Sequence, residues 1–471
     1  ITILILLLAY TIFNQFDIPE IKTEYDGKTA IDYFGKPDYS RANGYYRLFT
    51  LGEPEDVDVE SEEIYQKYRA YLEPGHPEAK TIKFSKKNHL IETLRKARRE
   101  YKYDKRLWRD QYFGDSKSWI KKIKMDKREI QKMEELIKIF LERYHRLLYS
   151  EKLEDICRHK AFLERDRYGY SSVDTQHPVP NFFAWIKIAP YYNLVQVLKC
   201  IEGNWEEGFK NLLRHLTFLR KSLKIQRLNT VKLINQIIME MTIQVINMMM
   251  NEKSCPREFI KEILSQPDLI YQEYGRKDGL ITEYIFSTDG QHILNGLYVN
   301  TPFNFSQWFY QKNRTFRNYL DYFNKLLYFD RTLPYQLKED PKDFKYSFKT
   351  GLWWLKNPVG KSFLEKSINP RAGNFQRYFI IPFQLKAGFE MLKIGAELRL
   401  KYSGKMSGSD TLKPLNTFQT YKDPFSGKPY KWNAKKELLY SIGPDKTDHN
   451  GHFTVYDYNN TDFPLPVILY V

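Results

Sequence analysis

The densest set of hard oxygen donors lies near the C-terminus, where Asp445, Asp448 and Asn450 share one short loop. Carboxylate and amide oxygens so placed, with backbone carbonyls, are the donors Ca²⁺ takes, and the same side chains can instead cap their own turn. Cys157 and His159, with Glu164 and Asp166, gather a nucleophile, a base and metal-ligand types. No second His or Cys follows at ligand spacing, so packing or surface roles are the reading there. Gly360-Lys361-Ser362 has the ending of a phosphate loop, but Leu355 stands where the first glycine belongs, and nucleotide binding is set aside. Glu273 and Glu283 would make the acid/base pair of a glycan-acting site only if the fold converged them. His145, His215 and His292 are dispersed, and Cys157, Cys200 and Cys255 form no C-x-x-C pair and no disulfide framework. The expectation is a protein that is not an enzyme, with no cofactor other than Ca²⁺ at that loop.

Upstream of the loop, Asp423-Pro424-Phe425-Ser426-Gly427-Lys428-Pro429-Tyr430 precedes Leu439-Tyr440-Ser441-Ile442-Gly443-Pro444-Asp445. Pro424 and Gly427 suit a tight turn between short strands. These residues resemble the D-P-[FW]-x-G-x-P-[YL] and Y-S-x-G-x-D signature of major pseudopilins of type II secretion, whose second loop binds calcium. The same ending occurs in a family of membrane-anchored bacterial envelope proteins. Their helical middle carries a G-[DN]-W-x-x-A phrase and an N-P-V-G-K segment, which this chain resembles at Gly203 to Gly208 and at Asn357 to Lys361. The resemblance implies a membrane-anchored envelope protein, adds weight to calcium at Asp445, Asp448 and Asn450, and implies no activity. A pseudopilin has Glu at its fifth mature position, whereas Ile5 stands here, and Lys446 and His449 interrupt the acids of the loop.

The elements that must position these residues are mainly helical. Ser61 with Glu62 and Glu63 begins a helix to Leu72, and Ser85 begins a basic one reaching Arg109, with His89, Ile91, Leu94 and Ala97 on its less polar side. Ile130, Met133, Ile137, Phe140, Leu141, Tyr144 and Leu148 repeat at helical spacing, predicting one helix capped by Asp126. Three more are predicted over Tyr191 to Ile201, Trp205 to Leu223 and Thr230 to Met250, with Gly203-Asn204 as the first turn. That turn resembles the hinge of a tetratricopeptide-type repeat, but no 34-residue recurrence supports a solenoid. Met239, Met241, Met248, Met249 and Met250 read as core. Short strands or loops are expected around Leu280 to Phe286, and helices over Phe305 to Leu327 and Phe375 to Tyr402, the latter kinked or delayed by Pro382. Beyond Ser403 apolar runs shorten and turn residues rise. The expected architecture is mainly α: an N-terminal membrane anchor (1–16), a juxtamembrane region with a basic helix (17–125), a helical domain built as an irregular stack of αα-hairpins (126–402), and a small β/loop module (403–471).

Ile1 to Phe13 is uncharged and apolar, with Ile1, Leu4, Ile5, Leu8 and Ile12 expected in the bilayer. It is shorter than the roughly 20 residues of a span, so it reads as the outer portion of a membrane helix. Asp17, Glu20, Glu24 and Asp26 outnumber Lys22 and Lys28 after it, which directs the body to the exported side, a bacterial periplasm. A hydrophobic content of 42% and a mean hydropathy of -0.59 exclude disorder and a multi-span protein. Net charge of +16, concentrated between Lys83 and Arg128 among aromatics, favours anionic surfaces. A merely solvated charged face is the first reading of that stretch, lipid headgroups or an acidic partner the second, and nucleic acid the last. Together these features predict a structural or interaction subunit of a membrane-associated assembly, bound to the bilayer and to other membrane or envelope proteins as an oligomer or hetero-complex. An exported glycan-acting or glycan-binding protein and an accessory subunit of a large energy-converting membrane complex are the alternatives.

Overall fold

A computed structural model describes residues 38–72, 89–100, 116–153, 182–225, 229–269, 312–337, 380–401, 420–433, 438–451 and 463–466. The chain divides into two compact units. One comprises Ile1–Pro37, Arg158–Thr175 and Gly275–Ile380, the other Asp38–Cys157, Gln176–Tyr274 and Ile381–Val471.

In the second unit the helices are α1 (Tyr45–Thr50), α2 (Glu62–Leu72), α3 (His89–Glu100), α4 (Ser116–Met125), α5 (Lys127–Leu136) and α6 (Lys138–Leu148). They continue with α7 (Phe182–Ile201), α8 (Trp205–Ile225), α9 (Asn229–Met250) and α10 (Arg257–Ser265). In the first unit α11 spans Lys312–Arg331, and α12 runs over 380–401, its residues from Ile381 onward belonging to the second unit. The described residues are mainly helical, as the periodicity predicts. Three short antiparallel strands, β1 (Lys431–Asn433), β2 (Leu438–Ser441) and β3 (Phe463–Pro466), lie in the order β1-β2-β3, within the stretch where the composition changes.

The core of the second unit is built on α7, α8 and α9, which all pack on one another, with α6 laid across α7 and α8. Trp185, Ile188, Phe209, Leu216, Ile238 and Ile246 are fully buried there, and so are the five methionines of α9. The Lys232–Met250 part of α9 is long and apolar enough to cross a membrane, and 89% of it is buried within the protein, the environment of a core helix. In the first unit the described residues place Tyr322, Phe323, Leu326, Leu327 and Phe329 of α11 inside, followed by a 3₁₀ turn at Pro334–Gln336.

Between α7 and α8 the turn is set by sequence. Gly203 takes φ +97°, Asn204 N–H donates to the Lys199 carbonyl at 2.9 Å, and Gly203 N–H to the Cys200 carbonyl at 3.0 Å, closing the last turn of α7. Asn204 then starts α8: its Oδ1 accepts from Glu207 N–H at 3.3 Å and its Nδ2 donates to Glu207 Oε2 at 2.7 Å. Lys199 Nζ reaches back to the same carboxylate at 2.6 Å.

Three helical readings need correction. The run from Asp126 is two helices, interrupted at Ile137, whose φ and ψ of -108° and 13° leave the helical region. Asp126 makes no capping hydrogen bond, because its own N–H already donates to Lys122 at 2.8 Å and continues the preceding helix. The helix ending at Ile201 begins at Phe182, with Pro190 inside it, since packing on α6, α8 and α9 outweighs the one backbone bond a proline omits. Of the basic helix, His89–Glu100 is described; there Leu90, Leu94 and Ala97 are buried while Ile91 and His89 are half-buried.

Candidate functional site

The C-terminal signature folds around one carboxylate. Asp423, 1% exposed, accepts from Phe425 N–H at 3.0 Å and Ser441 O–H at 2.8 Å on Oδ1. Its Oδ2 accepts from Ser426 O–H at 3.1 Å and Ile442 N–H at 3.2 Å. The two halves of the motif, separate in sequence, are thus pinned together by Asp423, and Gly427 and Gly443 at φ +70° and +74° supply the left-handed turns beside it. Burial pushes the Asp423 carboxyl above the usual range, against the pull of its donors. The last residue of the first half, Tyr430, donates to Glu390 Oε2 on α12 at 2.5 Å, while Lys386 binds the other oxygen.

The oxygen-rich loop that follows is also occupied from within. Asp448 Oδ1 accepts from Tyr440 O–H at 3.0 Å and Asn450 N–H at 2.9 Å, and the Lys431 ammonium binds Oδ2. Asp445 Oδ1 accepts from Thr447 N–H at 3.1 Å, and Oδ2 faces His449 Nε2 at 2.7 Å. Asn450 offers its carbonyl to Asn433 Nδ2 at 3.0 Å and, like Lys446, adopts positive φ, 57° and 59°. All four carboxylate oxygens therefore meet protein donors, and an ammonium already neutralises Asp448. Burial raises the Asp448 carboxyl, but hydrogen bonds from Lys431, Asn450 and Tyr440 bring it below the usual carboxylate range. As arranged, a divalent cation at this loop would compete with the Lys431 ammonium for Asp448 and with the His449 ring for Asp445. Adding Ca²⁺ is accordingly expected to leave the thermal midpoint of the protein unmoved; a saturable rise in a calcium titration would refute this.

A second polar constellation lies in the helical core. Trp185 Nε1–H donates to Tyr144 Oη at 3.1 Å, and Tyr144 O–H to His215 Nε2 at 2.6 Å. His215 Nδ1–H donates to Asn193 Oδ1 at 2.8 Å, Asn193 Nδ2–H to Thr242 Oγ1 at 3.2 Å, and Thr242 O–H to the Ile238 carbonyl at 2.9 Å. The chain runs in one direction through α7, α6, α8, α7 and α9, and all five side chains are 0% exposed. The carbonyl acceptor at its end and the indole donor at its start fix the tautomer of the imidazole. Burial pushes the His215 imidazole down to about 3, so it is held neutral. Because the folded value lies below the unfolded one, this group's contribution is full above the unfolded pKa near 6.5 and is lost as pH falls toward 3. Urea titrations are expected to show wild type losing up to about 1.4 kcal/mol per pH unit from this group in that window. A His215→Asn variant should lack that slope; equal slopes in the two proteins would contradict the assignment. The comparison must be a difference, since Glu53, raised to about 7 by burial, acts in the opposite sense.

A buried cation lies beside the connection between α1 and α2. Arg143, 3% exposed on α6, directs Nη1 to the carbonyls of Thr50 and Glu53 at 2.9 and 2.6 Å and Nη2 to those of Pro54 and Glu55 at 2.7 and 3.2 Å. Its Nε donates to Asp58 Oδ2 at 3.2 Å. One guanidinium so ties Thr50, Glu53, Pro54, Glu55 and Asp58 of the connection between α1 and α2 to α6.

Of the residues singled out from the sequence, Asp445, Asp448 and Asn450 share the loop described above. Ile1, Leu4, Ile5, Leu8 and Ile12, the Cys157–His159–Glu164–Asp166 group, Glu273, Glu283, His292, Gly360-Lys361-Ser362 and the stretch Leu280 to Phe286 lie outside the described residues. Cys200 and Cys255 are buried free thiols, each pushed up to about 12 by burial. Among the described residues no three His, Cys, Asp or Glu side chains group as metal ligands would. The sequence names Asp423 within its motif and His215 among the dispersed histidines without giving either a role, and it does not single out Arg143 or Lys431. For Asp423 the signal existed, in an Asp-Pro turn start followed by a second serine-containing motif. Comparison with protein-family models, with curated proteins and with solved structures found no match.

Proposed function

We propose that the chain is a non-enzymatic structural or interaction subunit of a membrane-associated assembly in a bacterial envelope. In this reading an irregular stack of αα-hairpins follows an N-terminal membrane helix, the body lies on the periplasmic side, and the partners are the bilayer and neighbouring membrane or envelope proteins. The observation that carries it is the use of the chemistry-bearing side chains: the imidazole of His215, the guanidinium of Arg143 and the carboxylates of Asp423, Asp445 and Asp448 are committed to other parts of the same chain. Groups so bound rigidify a body rather than await a substrate. The apolar run Ile1 to Phe13 and the acidic residues behind it support the membrane placement. Solubilising native membranes in mild detergent and sizing the particle tests the reading. A particle containing other membrane proteins in fixed stoichiometry is expected; a lone monomer at native abundance would rule it out.

A further inference from the structure

The α4–α5 segment turns one face to the core and the other to solvent. Asp126 N–H donates to Lys122 at 2.8 Å and Ile130 N–H to Asp126 at 3.0 Å, so helical phase is kept across the junction. On that phase Trp119, Ile120, Ile123, Ile130 and Met133 point inward and are buried. Lys121, Lys124, Met125, Arg128 and Lys132 follow the i, i+3, i+4, i+7, i+11 spacing of a single opposite stripe, and all five are exposed. Met125, at 74%, is the most exposed large apolar side chain among the described residues. Lys132 pairs with Glu129 at 3.1 Å, but no described carboxylate pairs with Lys121, Lys124 or Arg128.

We propose that this stripe is a contact surface for anionic phospholipid headgroups, with Met125 dipping between them. The proposal rests on the reading of Ile1 to Phe13 as a membrane anchor, because charge alone gives modest affinity: each cation near an anionic leaflet multiplies partitioning by roughly fivefold. Three unpaired cations therefore supply about a hundredfold, weak for a free body but ample for one already tethered, where the second contact is intramolecular. A flexible thioether flanked by cations suits the headgroup boundary. Single-stranded nucleic acid would want an aromatic stacking platform, and the aromatic nearest the stripe in sequence, Trp119, is 1% exposed on the opposite face. The stripe thus sets which side of the tethered body meets the membrane.

The test places a benzophenone amino acid at Met125 in the full chain, incorporated into vesicles of phosphatidylcholine alone or with phosphatidylglycerol, and counts lipid adducts by mass spectrometry. Adducts are expected on the anionic vesicles at low salt, and roughly tenfold fewer on phosphatidylcholine, at high salt, or after combined Lys121→Gln, Lys124→Gln and Arg128→Gln substitution. Equal yields on both vesicles, no adducts on either, or loss of adducts to added single-stranded RNA would overturn the proposal. Flotation with phosphatidylcholine vesicles reads the anchor separately. A chain that floats without charge-dependent adducts overturns the stripe alone; one that does not float yet gives them on anionic vesicles overturns the anchor and upholds the stripe.

Discussion

Replacing Arg143 with methionine is expected to destabilise the second unit by about 3–5 kcal/mol, the range seen when one partner of a buried ionic cluster is removed. The size follows from what is left behind. Four carbonyls, of Thr50, Glu53, Pro54 and Glu55, lose the guanidinium together, Thr50 and Pro54 keeping the N–H of Glu53 and of Val57 at 3.1 Å, and Asp58 keeps only the more exposed Arg146 at 2.5 Å and Glu60 N–H at 3.1 Å. Methionine fills the volume but donates nothing, and each buried acceptor without a donor costs about 1–3 kcal/mol. Arg143→Lys should recover only part, because an ammonium has three donors on one atom and cannot span the fork from Thr50 to Asp58. Urea denaturation gives the magnitude, and proteolysis between Leu51 and Ser61 locates it. A loss below about 1 kcal/mol, within the range of an ordinary surface ion pair, would mean that the connection between α1 and α2 is held by something else.

The second large effect is at Gly208, where a Cβ would lie 2.5 Å from the Gln196 carbonyl oxygen, 2.6 Å from Cys200 Sγ and 3.1 Å from Cys200 N. Within a helix alanine is intrinsically favoured over glycine by up to about 1 kcal/mol, and Gly208 lies in the first turn of α8, so the contact decides the sign. The closest atom is backbone on the facing helix, and relief requires α7 and α8 to separate. Overpacking of that kind costs about 1–3 kcal/mol and sometimes more, and Gly208→Ala is expected near the upper end, Gly208→Val beyond it. Gly203 is the control: its φ of +97° strains any side chain, but nothing lies within 4 Å, so Gly203→Ala should cost only about 1 kcal/mol. Thermal midpoints of the two alanine variants test the pair; Gly208→Ala as stable as wild type would show that the helices are not in close contact there.

How much of this could be read in the sequence depended on range. The start of α2 after Ser61, the Gly203-Asn204 turn and the burial of the α9 methionines rest on neighbours within a few residues, and local pattern identifies them. Periodicity also marked Tyr144 as inward-facing. It could not say that the partner was His215, 71 residues on, nor that Arg143 would reach Thr50 across 93. The break at Ile137 was invisible because the apolar spacing continues through it while only the backbone angles change. At the C-terminal loop the oxygens of Asp445, Asp448 and Asn450 were legible, but Lys431, 17 residues before Asp448 and brought beside it by the β1–β2 pairing, was not.

The proposal that the body is tethered at its N-terminus within a membrane assembly is tested most directly at the tether. Photo-cross-linking groups at successive positions of Ile1 to Phe13, activated in native membranes, would report what surrounds each residue. The account predicts adducts to lipid and to a small recurring set of membrane proteins, alternating with helical period, on a chain that resists alkaline extraction. A chain released by alkali, with no lipid adduct at any of these positions, would contradict it.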